Sequence, residues 1–156
     1  MLPFKLFLLA LIIGASSALG ILFSKKYANR EKEIKEIKTA LNMFATKIKF
    51  TYEPIPNLFM EISNKVGGNV GEIFQRAALN MKEQTAGNSW NNALEEVNHN
   101  LVKEDVAILK NLSRLLGQTD LEGQISEIEV VNRFLTSQLD RTLGVVTGLT
   151  IAIILI

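Results

Sequence analysis

Residues 31–50 read EKEIKEIKTALNMFATKIKF, with Ile34, Ile37, Leu41, Phe44 and Ile48 recurring at steps of three, four, three and four. Those steps are the period of one helix face, the a/d stripe with which a helix packs into a bundle or a coiled coil. Glu31, Lys32, Glu33, Lys35, Glu36 and Lys38 fill the rest of the first turns and read as a solvated face of mixed sign. Glu31 and Lys35 form an i,i+4 pair in the favourable order. The stripe leaves open whether it lines the chain's own core or faces a second copy.

Towards the N-terminus, nothing breaks a helix between Phe23 and Phe50, so one long helix is expected, or two with a soft joint near Ala28-Asn29. Ahead of it lies Leu6–Phe23, LFLLALIIGASSALGILF, without an ionisable side chain. As a helix this run reaches about 27 Å, close to the ~30 Å hydrocarbon core of a bilayer. A signal peptide cut before Leu19, with Ser16 and Ala18 at the small positions, is the rival to a permanent anchor. The flanks favour the anchor: Lys5 alone precedes the run, whereas Lys25, Lys26, Arg30, Lys32, Lys35 and Lys38 follow it. Basic flanks stay cytoplasmic, which puts the body of the chain inside the cell.

Towards the C-terminus, Pro54 and Pro56 make the first clear break, with Pro56 suited to the first turn of a second helix that ends near Val66. Gly67-Gly68 is read as a C-cap and Asn69–Glu72 as a capping box for a third helix carrying Ile73, Phe74, Ala77, Ala78 and Met81. A short fourth helix with Trp90, Leu94 and Val97 is expected to be capped by Asn88 or Ser89. The fifth carries Leu101, Ile108, Leu109, Leu112, Leu115 and Leu116 and stops at Gly117. Thr119–Glu122 is the clearest capping box, opening a sixth helix with Leu121, Ile125, Ile128, Val131, Leu135 and Leu139. No strand-like alternation competes. The expected fold class is therefore all-α: a membrane-anchored six-helix cytoplasmic domain flanked by N- and C-terminal hydrophobic helices. Its divisions are 1–24 (transmembrane helix), 25–142 (cytoplasmic domain) and 143–156 (C-terminal transmembrane helix).

That last segment, LGVVTGLTIAIILI, reaches only about 21 Å as a helix, a shortfall that thinning of the bilayer would absorb. Gly144 and Gly148 form a GxxxG pair, and the anchor has a small-residue stripe of its own in Ala10, Gly14 and Ala18. Small faces let membrane helices approach closely, within one hairpin or between subunits.

Composition narrows the function classes. The 156 residues carry a net charge of +1 and no cysteine. There is no field to attract nucleic acid, no disulfide framework and no thiolate site. His99 is the only histidine and reads as a loop residue; with no second imidazole, a zinc site has too few ligands. Glu95-Glu96 and Glu104-Asp105 are sequence neighbours that point apart on a helix and read as exposed-face charges. The glycines at 67, 68 and 71 fit neither a P-loop nor a dinucleotide loop. No catalytic residue, cofactor or metal is expected, and the chain reads as a non-enzyme. Trp90 reads as a core anchor, with a partner-facing hot spot as its alternative.

Four stretches taken in order resemble a known family: Thr51–Leu58 (TYEPIPNL), Trp90-x-x-Ala93-Leu94, Leu116-Gly117-x-Thr119-Asp120-x-x-x-Gln124 and Leu143-Gly144-Val145-Val146-x-Gly148-Leu149. Together they are similar to stage III sporulation protein AB, across essentially the whole chain. The chain departs at Asn57-Leu58-Phe59, where that family carries Glu-Ala-Leu. The resemblance implies a role in endospore formation, within a mother-cell membrane complex that faces the forespore and resembles a secretion system. It implies a domain like that of the type II secretion platform protein F. It also implies as partners a secretion-type ATPase, stage III sporulation protein AA, and other membrane subunits of that complex. On this reading Glu53, Asp105, Asp120 and Gln124, near the loop tips, are the candidate ATPase contacts. The alternative is a structural membrane hairpin that forms homo-oligomers through Ala10, Gly14, Ala18, Gly144 and Gly148 without recruiting an ATPase.

Overall fold

The period of residues 31–50 belongs to a helix much longer than the period itself. In the computed structural model α1 runs unbroken over Leu2–Phe50, 49 residues, so of the two readings the single long helix holds and there is no joint near Ala28-Asn29. The structure describes the backbone of residues 2–51, 53–114, 116, 117 and 120–154, and their side chains apart from residues 2, 18–23, 142, 143 and 145–154. After α1 come α2 (Ile55–Val66), α3 (Gly68–Asn80), α4 (Ala86–Glu96), α5 (Lys103–Lys110), a 3-10 helix (Asn111–Arg114) and α6 (Leu121–Ile154). Among the described residues there is no strand, and the fold is all-α. The expected terminal flanks are not separate helices, because α1 and α6 each run through into them. Among the described residues no helix is long and apolar enough to cross a membrane. Residues 18–23 of the expected span, and all of 143–156 except Gly144, lie outside the described side chains.

The stripe of α1 turns inward: Ile34, Ile37, Leu41 and Phe44 are buried and Ile48 packs at the margin. Phe59 of α2 stands at its centre, with edge-on ring contacts to Phe44 at 5.1 Å, Phe74 at 5.0 Å and Trp90 at 5.8 Å. Edge-to-face rings place the positive rim of one over the negative face of the next. α2 lies against α1 and α3, and α3 against α4. Lys47 and Lys65 both clasp Glu61, at 2.6 and 2.8 Å, pinning α1 to α2. These two ammonium groups hold the Glu61 carboxyl below the usual carboxylate range, and Glu61 in turn raises Lys47.

α6 closes the bundle through Ile128, Val131, Leu135 and Leu139, all buried, while Leu121 stays exposed. Lys38 donates to Thr136 Oγ1 (2.5 Å) and Asn132 Nδ2 donates to Asn42 Oδ1 (2.8 Å). Four residues along α1 are thus matched by four residues back along α6, and the two helices are antiparallel.

The caps differ from expectation. Gly67 and Gly68 do hold positive φ, 66° and 58°. Asn69, however, spends its side chain on Glu33 of α1 rather than on a cap. α4 begins earlier than expected, with Thr85 Oγ1 accepting from the Asn88 amide, and Ser89 is buried. Thr119 lies outside the described residues; it is Asp120 whose Oδ1 accepts the Gly123 amide and caps α6.

The expected fifth helix stops early because side chains take its last carbonyls. The Trp90 indole N–H donates to Leu109 O (2.8 Å) and the Ser113 hydroxyl to Lys110 O (2.7 Å). A tighter 3-10 turn carries the chain onward. Gly87 permits this crossing, since a Cβ there would lie 2.1 Å from Ser113 O, a backbone atom. Gly87→Ala is expected to lower stability by about 1–3 kcal/mol through overpacking, read as a shift in the urea midpoint of the full chain in detergent.

Candidate interaction surface

Charge on this bundle divides into groups that lock it and groups that face outward. The lock was not legible as such. Arg30 and Glu33 precede Ile34 and Ile37 by one helical turn, so they continue the apolar stripe and are carried into the bundle. Arg30 is only 6 % exposed and Glu33 only 5 %. The Arg30 guanidinium grips Asp105 of α5 with both arms, Nε to Oδ2 at 2.7 Å and Nη2 to Oδ1 at 2.8 Å. That contact raises the Arg30 pKa further above its ordinary value, against the lowering effect of burial. Asp105 also accepts the Val102 amide at 3.1 Å, capping α5. Glu33 accepts from Asn69 Nδ2 (2.8 Å), Asn100 N (2.7 Å) and Asn100 Nδ2 (2.7 Å). Two residues of α1 therefore hold the start of α3, the α4–α5 link and the start of α5.

This corrects two expectations. Glu33 is not part of a solvated face, and Asp105, at 0 % exposure, is not an outward contact. Asp105 is consumed by Arg30, 75 residues earlier in the chain.

The other three candidates lie at the opposite end of the bundle. Carried along from Asn42 and Asn132, the antiparallel register puts Phe50 level with Gln124, and hence Glu53 near the start of α6. Gly117 rests on Ala86, 3.6 Å from where its Cβ would be to the Ala86 Cβ, which brings the α3–α4 link to the same end. Glu53 and Asp120 are exposed there and Gln124 is half-buried. Sequence reading passed over their neighbour Phe50, which is 69 % exposed with Lys49 Nζ 5.7 Å from its ring centre. With exposed Leu121 and Glu122, this distal end presents apolar surface among carboxylates.

The opposite extremity of α1 is apolar all round. Phe4, Leu6, Phe7, Leu9, Leu11, Ile12 and Ile13 are each at least 56 % exposed. Ala10 is exposed, and among the described residues no atom of another element lies within 4 Å of the Cβ position of Gly14 or of Gly144. Ala18 and Gly148 lie outside the described side chains.

Among the described residues no three His, Cys, Asp or Glu side chains are placed to hold a metal. His99, half-buried, sets Nε2 2.9 Å from Leu94 O. A groove of about 550 Å³ between α1 and the end of α2 is lined by Lys32, Lys35, Thr39, Met43 and Lys65 among others, and it is open to solvent.

Comparison with known proteins places this architecture. Residues 5–142 match the family model described as stage III sporulation protein AB. The stage III sporulation protein AB of Bacillus subtilis (strain 168) is 23 % identical over 123 residues, covering 76 % of this chain and 72 % of that protein. A solved structure of a stage III sporulation protein AB superposes with a TM-score of 0.68 at 18 % identity, covering 76 % of this chain and 97 % of the other.

Proposed function

The chain belongs to the stage III sporulation protein AB family, and from that premise we propose that this sporulation protein is a membrane platform. It is anchored through the apolar end of α1 and docks a cytoplasmic secretion-type ATPase, stage III sporulation protein AA, at the distal end of its bundle. Anchoring in the mother-cell membrane, as part of a secretion-like complex facing the forespore, belongs to the same reading.

One observation carries it: the two ends of α1 are opposite in character. Its first turns expose large apolar side chains on every face, more contiguous apolar surface than a soluble monomer shows. Its last turn carries exposed Phe50, and exposed Glu53 follows three residues on, at the end where Asp120 precedes α6, a mix of aromatic and charged groups that suits a partner surface. Between them the charged side chains are largely spent on internal ties, which suits a platform rather than a catalyst.

Pull-down of the ATPase by the full chain in detergent tests the docking surface. Phe50→Ala with Glu53→Lys is expected to weaken capture by about tenfold or more. Asp120→Asn removes charge but keeps a capping side chain, so any loss it causes is not a loss of fold. Capture unchanged by all three substitutions refutes the distal surface.

A further inference from the structure

Resting on the anchored reading above, we infer that the base of the bundle is itself a lipid-contact surface. The α4–α5 link, together with Lys25, Lys26 and Tyr27 of α1, lies on the headgroup layer of an anionic bilayer.

The height of the base follows from helix geometry. α1 is unbroken from its apolar run into the bundle, and the seven residues from Phe23 to Arg30 rise about 10 Å. The α4–α5 link is fastened at that level by Asp105 on Arg30 and by Asn100 on Glu33. Asn69 fastens the first turn of α3 to Glu33 at the same level. A headgroup layer adds roughly 5–8 Å to each side of the hydrocarbon core, and the aliphatic stem of a lysine spans what remains. The base has no length of flexible chain on which to stand clear.

Its chemistry suits the surface it would meet. Lys25, Lys26, Lys32 and Lys103 are exposed, and so is Arg141, which the register places level with Glu33. The exposed carboxylates nearby are Glu104 and Asp140, together with Glu95 and Glu96 at the end of α4, which lie against Lys110 and Arg76. The cations are in excess, as attraction to an anionic leaflet requires. Tyr27, 51 % exposed, stands about one turn beyond the apolar run, where an aromatic ring with a polar tip partitions to the headgroups. Apolar side chains do not crowd this outer face: Asn98 in the link and Lys103 and Glu104 in the first turn of α5 are exposed, while Leu101 is buried. The contact is therefore electrostatic and peripheral, and the bundle is seated instead of tethered.

The chain has no native cysteine, so single cysteines can report depth. The full chain is reconstituted in phosphatidylglycerol–phosphatidylcholine vesicles with an environment-sensitive fluorophore at Leu9→Cys, Asn98→Cys or Glu53→Cys. Quenching by acyl-chain nitroxide at position 9 is expected, and its absence overturns the anchored reading. Headgroup nitroxide is expected to quench position 98 about threefold more than position 53, which lies just beyond the end of α1, about 40 Å from the apolar run. Quenching at 98 no greater than at 53, with position 9 still quenched, overturns the seating alone. In vesicles of phosphatidylcholine only, quenching at 98 is expected to fall about twofold; an unchanged value overturns the anionic preference.

Discussion

Replacing Asp105 with alanine is expected to lower the unfolding free energy by about 3–5 kcal/mol, because it takes the two-armed carboxylate partner from a buried guanidinium. The pair is closed from water on both sides, with the Asp105 side chain at 0 % exposure and that of Arg30 at 7 %. The attraction between the two charges does not set this magnitude. What matters is that a buried cation loses a two-armed acceptor that had replaced part of its hydration. The effect should therefore reverse when the cation is removed as well. Arg30→Met combined with Asp105→Asn leaves an acceptor for the Val102 amide and no unpaired charge, and should recover more than half of the loss. Urea denaturation of the full chain in detergent, followed by circular dichroism, measures both. A cost below about 1 kcal/mol for Asp105→Ala would mean that the pair is solvated like an ordinary surface bridge.

Trp90→Ala should cost about 3–5 kcal/mol, the range for deleting a large buried aromatic side chain. Trp90 is 1 % exposed and meets Phe59 and Phe74 edge-on. Its indole N–H also holds the carbonyl of Leu109. Trp90→Phe separates the two contributions, since it keeps most of the ring packing but strands a buried carbonyl, at about 1–3 kcal/mol. If the phenylalanine variant is as unstable as the alanine variant, packing is not the main contribution. A phenylalanine variant as stable as wild type would mean that the indole bond counts for little.

The helices were legible because burial imposes a period that needs no knowledge of the partner. Ile34 to Phe44, Ile73 to Ala78 and Ile128 to Leu139 all face inward as their spacing requires. The small-residue and apolar runs at the termini were equally plain as composition, yet not as separate helices, since nothing in Ser24–Arg30 or Asp140-Arg141 compels a break. The polar lock was hidden for a different reason. Glu33 sits among five other charges, where i,i+4 pairing makes every carboxylate look solvated, and its amide partners are 36 and 67 residues away. The available signal was position: Arg30 and Glu33 fall one turn before the stripe begins and on its line. Asp105 was misplaced because its place near a loop tip suggested exposure, whereas the partner that buries it, Arg30, lies 75 residues earlier. At the distal end, Glu53 and Asp120 were picked out by loop position, but Phe50 was counted with its helix instead of with its exposure.

The unbroken course of α1 has a mechanical consequence. A jointed stalk passes on a pull but dissipates a twist. A single 49-residue helix, about 73 Å long, transmits rotation about its own axis from end to end, and the Arg30 and Glu33 ties gear that rotation to α3, the α4–α5 link and α5. A torque applied at the distal tip would arrive at the first turns of α1 as a change of facing, not of height.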